Sequence, residues 1–336
     1  MVFLCRVQLN KNIKIFLNYF LGPLLFAWLL FSIYIQIVHR DNLEASWLRI
    51  RASFGSSHVL YLFGAMALIP VNWGLETLKW QLSVRSIHRL SFLEAFKAVL
   101  SGVSFSVTMP NRVGEYIGRM AYLPEGHRLS TIPVTLVGSL AQLLITIIAG
   151  AMGLVFLKPA LHRGFPEFSG WYLPALGSLL VLALLLLLLY FRLTGSFAFL
   201  RRGLPQKFIF LIEGLQAFHR SLLIRVLLIS ALRYLVFLVQ YLLVFYLFDV
   251  DVPPATVFGV MALVFLVLAV VPSIALLEVG VRGEASIRLM GLFSANVLGI
   301  GFASITIWFL NLVLPALVGS LLLLNLRIFK KRHEPD

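Results

Sequence analysis

Long apolar runs separated by short basic segments dominate the hydrophobic pattern of this 336-residue chain. Six of these runs are long enough to cross a bilayer, which takes about 20 apolar residues. They cover residues 15–38, 59–78, 132–157, 171–193, 222–248 and 303–324. The pattern therefore predicts an all-α, polytopic integral membrane protein built as a helical bundle.

Two shorter apolar stretches, 93–109 and 257–271, each end at a proline. Because they fall short of a full span, both are predicted to be re-entrant hairpins that enter and leave on one side. Residues 286–301 are apolar enough to form a further span. Six spans with two hairpins, or eight spans, both give the even number of crossings that places the two termini on one side.

Composition agrees with a bilayer environment. Hydrophobic residues make up 60% of the chain and charged residues only 12%, whereas about a quarter of the residues of a soluble domain are charged. The net charge of +14 would suit nucleic acid, but the basic residues lie in short runs between apolar stretches. Since membrane proteins show this positive-inside bias, membrane lipids are the predicted partner and nucleic acid is not.

The basic residues near the span ends assign a side to each loop. The N-terminus, the segment after the second run, the loop before the fifth run and the C-terminus are all basic, whereas Asp249 and Asp251 mark the opposite face. Both termini are therefore predicted to be cytoplasmic, in a chain integral to the plasma membrane. The lone Cys5 permits neither a disulfide nor a cysteine metal site within one chain.

A cluster of charged residues and glycines follows each proline-ended stretch. The first cluster comprises Arg112, Gly114, Glu115 and Arg119, and the second comprises Glu278, Gly280, Arg282, Gly283, Glu284 and Arg288. In each, a Gly-Glu pair follows an arginine, and another arginine lies four residues beyond the glutamate. On a helix, Glu115 would share a face with Arg119, and Glu284 with Arg288.

This recurrence predicts an inverted repeat, because the two hairpins would enter from opposite faces, as broken helices do in many transporters. The whole chain, 1–336, is expected to form one transmembrane domain. Its parts are an N-terminal anchor span with an outer loop (1–56), a first repeat (57–157), a connecting span with an interfacial amphipathic helix (158–221), a second repeat (222–326) and a basic cytoplasmic tail (327–336). A helix packed on the protein's own cytoplasmic face is an equal alternative to the interfacial helix.

Charges inside a membrane cost about 2.5 to 3.5 kcal/mol each, so they are usually paired and functional. In the functional interpretation, the arginines bind a phosphate through their bidentate guanidinium groups, and Gly114, Gly280 and Gly283 let the backbone approach closely. In the structural interpretation, the ion pairs only hold the tips of the hairpins.

A second group of charges is predicted on the long apolar runs themselves. Asn72, Glu76 and Lys79 share one face of a helix, and Arg233 lies near the middle of the fifth run. Arg233 is expected to pair with Glu76 across the repeat interface, and both are predicted to belong to the substrate-binding site. Lys79 is expected to extend to the cytoplasmic surface, since long cationic side chains near a span end commonly do so.

Small and polar residues form stripes on two other runs. Ser139, Gln142, Thr146, Gly150 and Gly153 lie along the third, and Asn311, Pro315 and Gly319 along the sixth. Such stripes usually allow close helix packing. The lining of a polar passage is the alternative.

The sequence resembles a known family through the two charged clusters. The motif Pro110-Asn111-Arg112-Val113-Gly114-Glu115 with Arg119, and Pro272 followed by Gly280, Arg282 and Glu284, are similar to the paired motifs of the lysylphosphatidylglycerol synthase transmembrane region, also called flippase-like proteins. The resemblance extends from about residue 59 to 326. It implies a membrane region that moves lipid between leaflets, and the amino-acid transfer domain of the synthases is expected to be absent.

Two departures from the family's motifs imply a different headgroup or carrier lipid. Asn111 stands where the family usually has glycine. Leu277 and Glu278 replace a glycine-rich approach to the second arginine, and Gly283 is inserted before Glu284.

The leading hypothesis is a protein that translocates a phosphate-bearing lipid or lipid-linked carrier, without a covalent step. Arg112, Arg119, Arg282 and Arg288 would bind the phosphate, and Glu115 and Glu284 would balance their charge. A membrane-embedded transferase with a glutamate as general base and a non-catalytic scaffold are the alternatives. The sequence has no phosphate-binding loop, nucleophile elbow or zinc-binding helix, so no cofactor or metal is expected.

Overall fold

The computed structural model of the protein describes residues 43–108, 113–192, 215, 218–271 and 275–324. The helices of this part, in chain order, are α1 Leu43–Phe54, α2 Val59–Val84, α3 Phe92–Thr108, α4 Gly114–Met120, α5 Thr131–Phe156, α6 Lys158–Gly164, α7 Tyr172–Arg192, α8 Arg220–Leu247, α9 Pro254–Val270, α10 Ala275–Met290, α11 Val297–Trp308 and α12 Leu314–Leu324. A π-helical turn, Phe309–Val313, joins α11 to α12. The all-helical prediction is confirmed.

Five helical segments are long and apolar enough to cross a membrane: α2, α5, α7, α8 and the combined segment Val297–Leu323. They match five of the six predicted spans, and the sixth, 15–38, lies outside the described residues. α2 continues to Val84, beyond the predicted end at residue 78, because Trp80, Ser83 and Val84 are buried against other helices. The end of α2 therefore depends on packing within the protein, and a hydropathy pattern does not report such packing.

The two proline-ended stretches are helical and shorter than the spans, α3 with 17 residues and α9 with 17 residues. The suggested further span over residues 286–301 is wrong. α10 ends at Met290, and α11 begins at Val297 after Asn296, whose side chain accepts a hydrogen bond from the Gly299 N–H at 2.9 Å. An N-cap of this kind starts a new helix, so the apolar run is divided.

Helices α3 and α4 pack antiparallel with their backbones in contact. A Cβ atom on Gly114 would lie 2.2 Å from the Phe105 carbonyl, and one on Gly118 would lie 2.3 Å from the Gly102 nitrogen. Ser101 and Tyr122 share a hydrogen bond of 3.1 Å beside this contact. Only glycine fits at these positions, so Gly114 of the first cluster and Gly118 allow α4 to approach α3 closely.

Helices α2 and α8 form the centre of the bundle, and the others pack around them in corresponding pairs. α12 lies on α3, where a Cβ on Gly319 would be 2.0 Å from the Leu100 carbonyl oxygen. α5 lies on α9, where a Cβ on Gly153 would be 2.8 Å from the Gly259 carbonyl oxygen. We call the end of the bundle where α2 ends the Arg85 end, and the end where α8 ends the Asp249 end.

The predicted interfacial helix falls almost entirely on residues that the structure does not describe. Of its apolar positions, Leu215 and Phe218 are described, and Phe218 is buried against the hydrophobic core near the Arg85 end.

Candidate functional site

Three cations from three helices converge on one buried carboxylate at the centre of the bundle. Glu76 of α2 lies 2.6 Å from Lys79 Nζ, 2.9 Å from Arg119 Nη2 of α4 and 3.3 Å from Arg233 Nη1 of α8. Each of the four residues is at least nine-tenths buried. The predicted pairing of Glu76 with Arg233 is confirmed.

Lys79 does not extend to the surface as predicted. Its side chain is 4% exposed, and its methylene groups pack against Gly138 of α5 while the ammonium group pairs with Glu76. The prediction was wrong because a buried carboxylate three residues earlier gives the ammonium group a partner inside the protein. Snorkelling is favoured only when water is the nearest polar environment.

Aromatic rings hold the two arginines in place. The Arg233 guanidinium lies 5.5 Å from the ring centre of Trp73 and 5.3 Å from that of Phe237. The Arg119 guanidinium lies 5.9 Å from the ring of Trp80. Cation–π contacts of this kind stabilise a desolvated guanidinium while leaving part of its edge open to other partners.

The charged group lines a cavity of about 330 Å³ between α2, α4, α5 and α8. Its lining residues are Trp73, Glu76, Lys79, Glu115, Tyr116, Arg119, Ser139, Gln142, Leu143, Thr146, Arg233 and Ala269. The polar stripe of the third predicted span therefore divides into two parts. Ser139, Gln142 and Thr146 line the cavity, whereas Gly150 and Gly153 pack against α9.

The cavity lies at half the height of the bundle and reaches its flank. Trp73, Leu143 and Arg233 each lie within two residues of the midpoint of their helix. Ser139 of α5 and Ala269 of α9, which line the cavity, are exposed on the outside of the bundle. A ligand can therefore enter between α5 and the end of α9, from the side of the molecule.

A second ion pair lies across the bundle from the first group. Arg282 of α10 lies 2.5 Å from Glu278 and donates a 2.7 Å hydrogen bond to the Tyr241 hydroxyl of α8. Both residues of the pair line a smaller cavity of about 40 Å³. Trp73, Glu115 and Arg233 line this cavity as well as the larger one. These three residues therefore form the wall between the two cavities, and the two charged clusters meet there.

The residues predicted for the site divide into central and peripheral ones. Glu115 pairs with Arg119 at 3.2 Å, as the helical spacing predicted. Glu284 also pairs with Arg288, but the Arg288 side chain is 58% exposed, and neither residue lines either of the two cavities described above. Arg112 lies outside the described residues.

The three glycines predicted to let the backbone approach a ligand lie within helices, not in a loop. Gly114 faces the backbone of α3, and Gly280 and Gly283 are buried within α10. Close packing of helices accounts for Gly114, since its Cβ position is filled by Phe105.

Sequence reasoning missed two residues that belong to the site, Trp73 and Tyr241. It named Glu278 in the second cluster and Asn311 in a polar stripe, but assigned neither of them to the binding site. The signal for Glu278 was present, because it lies four residues before Arg282 as Glu115 lies four residues before Arg119. No pattern marked Tyr241 or Trp73. The sequence placed Asn311 in a packing stripe, and it accepts a 2.9 Å hydrogen bond from Asn72 beside the smaller cavity.

The charge balance of the larger cavity suits an anion. Three cations and two carboxylates line it, which gives a net charge of +1. Within the described residues, the Trp73 Nε1 and Arg119 Nε donors have no hydrogen-bond acceptor. Buried donors without acceptors are costly, so an anion with acceptor oxygens would satisfy both the charge and the donors.

A metal site is not indicated in this part of the chain. The described residues contain no group of three or more histidine, cysteine, aspartate or glutamate side chains that could hold a metal ion.

Comparison with known proteins gives a family but no individual relative. Neither the curated proteins nor the solved structures gave a match to this chain. The family model described as the lysylphosphatidylglycerol synthase TM region matches residues 19–319, which include both charged clusters and every described helix that lines the two cavities. The chain is therefore a membrane protein of the lysylphosphatidylglycerol synthase TM region family.

Proposed function

We propose that this protein translocates a phosphate-bearing lipid, or a lipid-linked carrier, between the two leaflets of the membrane. The observation that carries the proposal is the larger cavity, which combines a net positive charge, a position at half-height and an entrance on the flank of the bundle. A lipid headgroup can enter such a cavity sideways without leaving the membrane plane. A scaffold would need no cavity between its buried ion pairs.

The packing of the helices supports an inverted repeat of α2–α5 with α8–α12. In the first half, Arg119 binds Glu76, which lies 43 residues earlier. In the second half, Arg282 binds Tyr241, which lies 41 residues earlier. Both arginines also pair with a glutamate four residues before them. This correspondence aligns Glu115–Arg119 with Glu278–Arg282.

The helix contacts follow the same symmetry. α3 packs on α12 of the other half, and α9 packs on α5. In this arrangement α3 with α4 and α9 with α10 are the two re-entrant hairpins, entering from the Arg85 end and from the Asp249 end. A pair of discontinuous elements meeting near the midplane is the arrangement in which rocking of one half against the other gives alternating access.

In the proposed mechanism, Lys79, Arg119 and Arg233 bind the headgroup phosphate in the larger cavity. Glu76 and Glu115 keep the cations together and limit the net charge, so the empty site remains stable inside the membrane. The wall formed by Trp73, Glu115 and Arg233 separates this position from Glu278 and Arg282. Movement of one repeat against the other would open the wall and pass the phosphate to Arg282, without a covalent step.

We further propose that the Arg85 end is cytoplasmic and that the membrane is the plasma membrane. That end carries Arg85, Arg89 and Arg128 in its loops, Lys97 in the second turn of α3 and Arg220 at the start of α8, in keeping with the positive-inside bias. Both termini would then lie in the cytoplasm.

Reconstitution tests the proposal directly. Purified protein in proteoliposomes that contain a fluorescent anionic phospholipid should raise the rate at which the lipid changes leaflet above that of protein-free vesicles. Arg233→Gln should abolish most of the increase, because it removes a cation from the wall of both cavities. Arg288→Gln is the matched control, since Arg288 is an exposed arginine that also pairs with a glutamate, and it should retain the wild-type rate. Equal rates for the two variants would contradict the proposal.

A further inference from the structure

An apolar groove of about 760 Å³ lies on the same flank of the bundle as the entrance of the larger cavity. It runs between α5, α7 and α9 and is bounded at the Asp249 end by the 3-10 turn Pro166–Gly170. Representative lining residues are Leu154, Phe165, Trp171, Ala175, Leu266 and Val270. Glu167 and Ser178 are its polar members, so nearly the whole surface of the groove is apolar.

The groove begins where the larger cavity ends. The two spaces are adjacent at the inner end of α9, where Ala269 lines the cavity and Val270 lines the groove, and the groove extends from there to Leu263, nearer the start of α9 at the Asp249 end. On α5, Thr146 lines the cavity and Leu154 lines the groove. Eight residues of helix separate them, a rise of about 12 Å at 1.5 Å per residue. The two spaces therefore follow one another along the flank, the polar one at half-height and the apolar one towards the Asp249 end.

This order matches the shape of a lipid that comes from one particular leaflet. In the leaflet at the Arg85 end, the acyl chains point towards the Asp249 end. When the headgroup of such a lipid moves down into a cavity at half-height, its chains must extend into the opposite half of the membrane. The groove occupies that region, directly beyond the cavity, and its apolar lining suits a hydrocarbon chain.

We propose that the groove binds an acyl chain of the lipid whose headgroup occupies the larger cavity, and that the lipid enters from the leaflet at the Arg85 end. This inference rests on the proposed function and adds to it the binding site of the acyl chain and the leaflet from which the lipid enters. Since lipid tails are as apolar as the groove, the chain gains packing contacts and no hydrophobic transfer energy. The groove therefore serves mainly to select long-chain lipids and to orient them, and it adds little to the binding free energy.

A substitution that fills the groove tests the inference. Ala175 of α7 lines it, and Ala175→Trp places a large ring in the path of the chain. Ala67 of α2 is the matched control, because it is an exposed alanine on a spanning helix and lines neither this groove nor the cavities of the described residues. Both alanines lie in the half of the bundle towards the Asp249 end. Both variants should fold alike, since each adds an indole ring at a position open to the flank of the bundle.

Binding to the purified protein would be measured with two forms of one anionic glycerophospholipid, a long-chain form and a short-chain, water-soluble form. Ala175→Trp should weaken binding of the long-chain form by about fivefold through lost dispersion contacts, while binding of the short-chain form stays unchanged. Ala67→Trp should bind both forms as the wild type does. In proteoliposomes, translocation of the long-chain form should be slower with Ala175→Trp than with Ala67→Trp or the wild type.

The outcomes separate this inference from the proposed function. If the wild type binds neither form, the proposed function fails. If the wild type binds both forms, Arg233→Gln weakens both, and Ala175→Trp changes neither, the headgroup site stands and the groove proposal is refuted. Equal weakening by Ala175→Trp and Ala67→Trp would also refute it, because the effect would then not come from the groove.

Discussion

Glu76→Gln is expected to lower the stability of the folded protein more than any other single charge removal in the larger cavity. The carboxylate is buried, with its side chain 6% exposed, and it is in contact with Lys79, Arg119 and Arg233 at 2.6, 2.9 and 3.3 Å. The neutral amide keeps the shape of the side chain but leaves three cations around it. Glu115, 19% exposed, would be the one carboxylate left in the lining of this cavity.

The magnitude follows from the contact distances. Each contact near 3 Å is worth about 5 to 6 kcal/mol at an effective dielectric constant of 20, before desolvation is counted. Desolvation of the four charged groups cancels most of this sum. Removal of one partner from a buried ion pair costs about 3 to 5 kcal/mol, because the remaining charge stays buried without compensation. We therefore expect a loss of about 3 to 5 kcal/mol for Glu76→Gln.

Equilibrium unfolding in detergent, followed by tryptophan fluorescence, measures this loss. Trp73 and Trp80 lie beside the charged group and report on it directly. Glu284→Gln is the matched control. The Glu284 side chain is 12% exposed, but its arginine partner is 58% exposed and stays in contact with solvent when the glutamate is neutralised, so the substitution should cost about 0 to 1 kcal/mol. The double variant Glu76→Gln with Lys79→Met should recover part of the stability, because it restores the net charge and the coupling between contacting residues is not additive.

Two results would contradict this expected role of Glu76. Equal stabilities for Glu76→Gln and Glu284→Gln would mean that Glu76 does not compensate buried cations. A double variant as unstable as the sum of its single variants would mean that Lys79 is not coupled to Glu76.

Three further substitutions have defined outcomes. Gly118→Ala should lower the free energy of unfolding by about 1 to 3 kcal/mol through overpacking against α3. Gly177→Ala is the control and should leave the stability unchanged, because its Cβ would meet nothing within 4 Å. Thermal unfolding measures both. Asn296→Ala removes an N-cap and the hydrogen bonds to Phe248 and Asp249. It should lower the free energy of unfolding by about 1 kcal/mol or more. Faster hydrogen exchange at the start of α11 would show the loss. Tyr241→Phe should slow translocation without unfolding the protein, because Arg282 loses one of the two side-chain partners that it has among the described residues.

The spans were predictable because length and hydropathy suffice to identify a membrane helix. The pairing of Glu76 with Arg233 was predictable for a related reason. An arginine at the middle of an apolar helix needs a buried acidic partner, and the apolar runs contain few acidic residues. The position of Lys79 was not predictable from spacing alone. Its environment depends on Gly138 of α5 and on Arg119 of α4, which approach it only in the folded bundle.

The sequence alone also could not decide which Glu-Arg pair of the second half corresponds to Glu115–Arg119. The sequence offered two helical Glu-Arg pairs in the second half, Glu278–Arg282 and Glu284–Arg288, and both form. Only the contacts of α10 with α8 distinguish them, because Tyr241 binds Arg282 while Arg288 faces outwards. Cavities are also a property of helix packing, so neither their position nor their shared wall could be derived from one sequence.

The π-helical turn Phe309–Val313 divides the last span near its middle. Turns of this type weaken the regular hydrogen-bond ladder of a helix and are frequent at functional sites. α11, before the turn, packs on α10, whereas α12, after it, packs on α3. We therefore expect the last span to bend at this turn while α11 and α12 each stay packed on a different proposed hairpin. A bend there lets one hairpin tilt while the other keeps its position, whereas a straight, rigid helix would move both together.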